Sequence, residues 1–134
     1  MAGLQPAGDP MSRSAGAPRF GVVVIGRNEG ERLEAALRAV AARGAPVVYV
    51  DSGSSDGSAE RARGLADAVL ELDPGLPFTA ARGRNEGRAW LRARHPGIEW
   101  VQFVDGDTVL APGWLEQAAA VLGSDPSIAA VAGG

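Results

Sequence analysis

Short apolar runs bounded by glycine, proline and polar clusters recur between residues 20 and 131, with helix-periodic stretches between them. Residues 20–25 (Phe-Gly-Val-Val-Val-Ile) read as a strand buried on both faces, because polar alternation is absent. Asn28 then offers an N-cap to a helix over about 29–43, on which Leu33, Ala36, Leu37 and Val40 fall at helical spacing. Gly44 stops that helix, and residues 46–50 form a second strand run. A polar loop over 51–57 leads into a short helix carrying Ala59, Ala62 and Leu65, and 68–72 reads as a third, weaker strand. Residues 81–94 are helix-like and rich in Arg, although Gly83 and Gly87 work against a helix. A fourth strand is predicted over 99–104. A helix follows from Pro112 with Trp114, Leu115, Ala118 and Leu122 on one face; Asp125-Pro126 ends it, and 128–131 is the last strand.

Strands alternating with helices imply an α/β fold, a mostly parallel sheet with helices on both faces. The 134 residues suffice for one domain with a core. Residues 1–19 carry Pro6, Pro10 and Pro18 among Gly, Ala and Ser, which predicts a disordered leader ahead of a domain over 20–134. That leader has no apolar h-region and so is not a secretory signal, and the expected compartment is the cytoplasm, with membrane association left open for a full-length context. The chain stops on Gly133-Gly134 directly after its last strand, so the domain is expected to be truncated. An unpaired apolar edge there would favour homo-oligomers.

Composition mostly excludes. No window approaches a membrane span of about 18 apolar residues. A net charge of −3 argues against a general nucleic-acid binder. All 13 basic residues are Arg, which removes lysine chemistry. With no Cys, thiol catalysis and zinc–thiolate sites are also removed. The single His95 stands in a helix-ending Arg-His-Pro-Gly context and reads as a surface turn residue.

The chemistry concentrates at strand ends. Asp105 and Asp107 close the fourth strand, and Asp51 closes the second. In a parallel sheet these share one edge with the first βα turn, Gly26-Arg27-Asn28-Glu29-Gly30, at the side where open α/β sheets bind ligands. Continued strand geometry would point Asp105 and Asp107 the same way, and two hard oxygen anions suit a divalent cation carrying phosphate oxygens. No G-x-G-x-x-G follows the first strand, and a Walker loop needs a Lys that is absent. The 51–57 loop fails as a calcium loop, with Asp56 at the sixth position and Ala62 at the twelfth. An aspartyl-nucleophile phosphatase is a rival reading of Asp105-Gly106-Asp107, but that arrangement belongs on a first strand and uses a later basic residue, usually Lys.

Four motifs together carry a resemblance: 22–29 (Val-Val-Val-Ile-Gly-Arg-Asn-Glu), 50–58 (Val-Asp-Ser-Gly-Ser-Ser-Asp-Gly-Ser), 81–87 (Ala-Arg-Gly-Arg-Asn-Glu-Gly) and 104–107 (Val-Asp-Gly-Asp). In this order and spacing the chain resembles the family 2 glycosyltransferases of GT-A fold over roughly 20–134. The resemblance implies transfer of a sugar from a nucleotide diphosphate donor to an acceptor hydroxyl (saccharide, lipid or other), generally with inversion. It implies donor-binding roles for Arg27, Asn28 and Glu29. Asp51 would approach the nucleobase or ribose, in a pocket shaped by the Ser52–Ser55 backbone. Many members carry a second acid where this chain has Ser52, which leaves the nucleotide open. Asp107 is implied to coordinate Mg²⁺ or Mn²⁺, and Asp105 to hold the ribose or a metal-bound water. Arg84 matches the family's donor-side Arg-Asn and would face the diphosphate, with Arg82 a weaker candidate.

An inverting displacement needs a general base near the acceptor hydroxyl. Only Glu116 and Asp125 follow Asp107, and neither occupies the family's position, so the base is expected outside this chain. Two alternatives stay open beside the glycosyltransferase: a non-catalytic nucleotide-binding or interaction module, and the phosphatase.

Overall fold

The computed structural model describes residues 2–6, 20–125, 127 and 130–132. Its sheet contains β1 (Ala2–Pro6), β2 (Phe20–Gly26), β3 (Val47–Asp51), β4 (Ala68–Glu71), β5 (Trp100–Asp105) and β6 (Val131–Ala132), in the order β4-β3-β2-β5-β1-β6. The four strands β4, β3, β2 and β5 run parallel, while β1 lies antiparallel to both β5 and β6. Between them run α1 (Glu31–Ala41), α2 (Ser58–Ala62), α3 (Ala80–Arg94) and α4 (Trp114–Ser124). Among the described residues no helix is long and apolar enough to cross a membrane.

Alternate residues of the central strands build two cores, as strand geometry requires. Val22, Val24, Val47, Tyr49 and Val104 meet Leu33, Leu37 and Val40 of α1 and Leu115 of α4 on one face. Val23, Ile25, Val48, Val50 and Val101 meet Leu91 of α3 on the other. Helices on both faces of a mostly parallel sheet are therefore as the sequence predicts, and the unalternating strands are those covered twice.

Three local expectations change. Residues 2–6 were expected within an unordered leader, yet they form β1; residues 7–19 lie outside the described residues. Backbone pairing with β5 needs no side-chain periodicity, and the Gln102 Nε2 adds a 2.9 Å hydrogen bond to the Gly3 carbonyl. Asn28 does not cap α1: the N-cap is Gly30, and Asn28 adopts φ 55° two residues earlier. The helix expected from Pro112 begins at Trp114, after Gly113 in the left-handed region. Of the last predicted strand, Ile128 and Ala129 lie outside the described residues, and β6 spans Val131–Ala132.

Gln102 is fully buried, and its Oε1 accepts the Trp114 indole N–H at 2.6 Å, joining α4 to β5. Trp114→Phe strands that acceptor. An unfolding free energy lower by about 1–3 kcal/mol is expected in urea titration.

Candidate functional site

Chain order reverses beside β2: the chain moves outward to β3 and β4, then returns to β5 on the other side. Such a switch leaves a crevice beyond the carboxyl ends of the two strands. The register keeps those ends level, with Gly26 beside Asp51 and Ile25 beside Asp105. A cavity of about 370 Å³ opens there, lined by Ile25, Gly26, Arg27, Glu29, Ser52, Phe78, Thr79, Ala80, Asp105, Gly106 and Asp107. A larger depression of about 510 Å³ runs along the outer side of α3 past Thr79, Arg82 and Glu86, and the strand-end carboxylates do not line it.

Asp105 and Asp107 both line the cavity, but not by strand alternation. The strand ends at Asp105, and Gly106-Asp107 form a turn in which the Thr108 N–H donates to the Asp105 carbonyl at 2.9 Å. Gly106 N–H also donates to the Ile25 carbonyl at 2.7 Å. A Cβ on Gly106 would stand 3.2 Å from that carbonyl oxygen and 3.1 Å from the Glu29 Cγ. The glycine between the acids thus lets the turn lie directly against the end of β2, and Asp107 emerges exposed.

Arg84 approaches the acid pair at Asp105. Its Nη2 lies 3.8 Å from the Asp105 Oδ1, with both side chains partly exposed. The glycines that argued against α3 explain how it reaches them. Gly83, Gly87 and Leu91 form the buried face of that helix, and a Cβ on Gly87 would sit 2.5 Å from a Val23 methyl. Helix propensity yields here to close packing. Arg82 faces elsewhere: its Nη1 donates to the carbonyls of Asp73, Leu76 and Pro77 at 2.9, 3.2 and 3.4 Å. It holds the 73–77 loop and does not line the cavity.

The 51–58 loop is built from inside. Asp51 is 2% exposed, and its carboxylate accepts hydrogen bonds from the Tyr49 hydroxyl (2.7 Å), the Ser54 N–H (2.8 Å) and the Ser54 hydroxyl (2.6 Å). Burial and the adjacent Asp51 carboxylate push the Tyr49 hydroxyl far above its ordinary value, so it remains a donor. Asp51 therefore shapes the loop from behind, and Ser52 takes the lining position. Asn28 ties the first turn to this loop: its N–H donates to the Ser54 hydroxyl (2.9 Å), and its Oδ1 accepts the Ser55 N–H (2.8 Å). Glu29 lines the cavity and pairs with Arg32 at 3.3 Å.

Sequence reasoning passed over Phe78. It is half-buried in the loop before α3, lines the cavity, and carries the Arg27 guanidinium 5.7 Å from its ring centroid. A Cβ on Gly53 would stand 2.8 Å from the ring, so the ring seats on the loop backbone. The available signal was an aromatic residue set in a polar loop just before Thr79, whose hydroxyl caps α3 by accepting the Arg82 N–H at 3.0 Å.

Three carboxylates line the cavity (Glu29, Asp105 and Asp107) against the single lining guanidinium of Arg27. Among the described residues no three His, Cys, Asp or Glu side chains form a metal cage. A pair of carboxylates suits an ion that completes its oxygen shell from a phosphate ligand and water, as Mg²⁺ commonly does. Glu116 and Asp125 stand apart from the cavity, in the first turn of α4 and at its C-cap, where Ser127 donates to Asp125 and lowers its carboxyl below the ordinary value.

A family model described as Glycosyl transferase family 2 matches residues 21–133. No curated protein and no solved structure matches the chain.

Proposed function

The chain belongs to glycosyl transferase family 2, and from that premise we propose that the switch-point cavity binds a nucleotide diphosphate–sugar donor with Mg²⁺ or Mn²⁺ for inverting transfer to an acceptor hydroxyl. The observation that carries this reading is the Asp105-Gly106-Asp107 turn at the mouth of β5, with Arg84 beside Asp105. A carboxylate-lined cavity repels a bare diphosphate, so the donor enters with a counter-cation. Asp107, the more exposed acid, is the first choice of ligand, with Asp105 beside it. A bound divalent ion supplies stabilisation of the negative charge that builds on the leaving diphosphate. Arg84 assists at the same oxygens, and its pairing with Asp105 keeps its head group beside that acid. Asp51 and Asn28 hold the pocket wall, while Ser52 and Glu29 face the ligand.

Since neither Glu116 nor Asp125 lines the cavity, donor binding is the property assigned to these residues. The same fact favours, as the second reading, a module that binds the nucleotide without transferring sugar. Family membership leaves the phosphatase reading without support.

Calorimetric titration of UDP, GDP and dTDP with and without Mn²⁺, repeated on Asp107→Ala, tests the donor site. Metal-dependent binding of at least one nucleotide is expected, with a loss of about 100-fold or more in the variant. Equal affinity in Asp107→Ala, or no binding by the folded chain, would sink the assignment. Metal-dependent donor hydrolysis that disappears in Asp107→Ala would separate an enzyme from a binding module.

A further inference from the structure

The cavity has a second wall with a different chemistry. β3 and β5 flank β2, so the loop after β3 lies about two strand spacings, roughly 10 Å, from the acid pair. On that side stand Ser52, the Phe78 ring seated on Gly53, and the Arg27 guanidinium over the ring. No carboxylate is offered there by Asp51, whose oxygens are turned inward to Tyr49 and Ser54.

We propose that Arg27 and Phe78 form a nucleobase clamp that prefers guanine to uracil, thymine or adenine. The inference rests on the donor-site reading above, because a diphosphate held at the acid pair sends its nucleoside towards this wall. An aromatic ring fixed on backbone is a stacking platform for any base once the Arg27 guanidinium swings from over the ring to the base edge, and the larger purine face gains more from it. Selection comes from Arg27. Its planar fork presents only donors, and guanine alone among these bases carries two neighbouring acceptors, O6 and N7, on one edge. Adenine places an amino donor beside N7. Uracil and thymine set an N–H donor between their carbonyls, which a fork made only of donors cannot match. Ser52 lines the cavity on this side, and the Asp51 carboxylate is committed to Tyr49 and Ser54.

The test is titration of GDP, ADP, UDP and dTDP, all with Mn²⁺, into the full chain and into its Arg27→Ala and Phe78→Ala variants. Thermal melts of each variant establish that it is folded. GDP is expected to bind about tenfold or more tightly than UDP, an advantage that Arg27→Ala erases while leaving the other nucleotides nearly unchanged. Phe78→Ala is expected to weaken all four by about tenfold. UDP or dTDP binding as tightly as GDP would overturn the clamp and leave the donor site standing. So would an Arg27→Ala loss equal for all four, which would place that side chain on the phosphates. Metal-dependent binding of none of them would overturn the donor site and the clamp together.

Discussion

Gly87→Val is expected to lower the unfolding free energy by about 3 kcal/mol, at the upper end of overpacking costs, whereas Gly123→Ala should raise it by up to about 1 kcal/mol. Both glycines lie within helices, so propensity alone predicts a gain at each. Their surroundings differ. A Cβ at Gly87 falls 2.5 and 3.0 Å from the two methyls of Val23 and 3.2 Å from a Val50 methyl, and both valines are fully buried. Among the described residues, apart from its chain neighbours and its own helix backbone, no heavy atom lies within 4 Å of a Cβ at Gly123. To admit a side chain at 87, α3 must lift from the sheet, drawing Leu91 out of its core and Arg84 away from Asp105. Nucleotide affinity should therefore fall together with stability. Urea unfolding of the two variants provides the comparison, with Val23→Ala as a compensating change that should restore part of the loss. A neutral Gly87→Val would mean that α3 does not approach the sheet this closely.

The second large effect is expected at Asp51. Asp51→Ala removes the acceptor of the buried Tyr49 hydroxyl and both bonds that fold Ser54 back into the loop. A stranded buried donor and lost bonds to a charged group together should cost about 3 kcal/mol. Tyr49→Phe in the Asp51→Ala background removes the stranded hydroxyl and should recover about 1–2 kcal/mol of it. Denaturation of the two single variants and the double variant measures that coupling. Nucleotide titration beside it separates two roles. A residue that shapes the loop lowers stability and weakens every nucleotide. A residue that hydrogen-bonds the base edge would weaken one nucleotide selectively and leave the melting temperature in place.

The candidate site was legible to unequal depth. Asp105, Asp107, Glu29, Arg27 and Ser52 stand at strand ends or in the turns after them, and all five line one cavity. Arg84 was legible only through the family's Arg-Asn motif, since an exposed Arg on a polar helix is ordinarily solvated. Asp51 was correctly placed at a strand end, but its orientation was hidden. Whether a strand-end carboxylate faces a pocket or its own loop depends on the hydroxyls around it, here those of Tyr49 and Ser54. Phe78 escaped because a loop aromatic has no periodicity to reveal its partner. Asn28 looked like a cap because caps and loop bridges use the same side-chain chemistry.

Apolar runs, helical spacing and Gly/Pro punctuation were enough to determine the order of elements from residue 20 onward, the twice-covered strands and the edge that collects the acids. Those properties follow from interactions between residues one to four positions apart, which any local stretch of chain expresses. The tertiary structure alone decided the pairing of residues 2–6 with β5, the seat of α3 on its glycine face and the approach of Arg84 to Asp105. It also decided the inward turn of Asp51 and the stacking of Arg27 on Phe78. Most of these join residues twenty to a hundred positions apart, and the rest depend on the packing around them. Their geometry is set by how closely backbones pack and by which buried polar atoms must find partners, neither of which is expressed in local sequence.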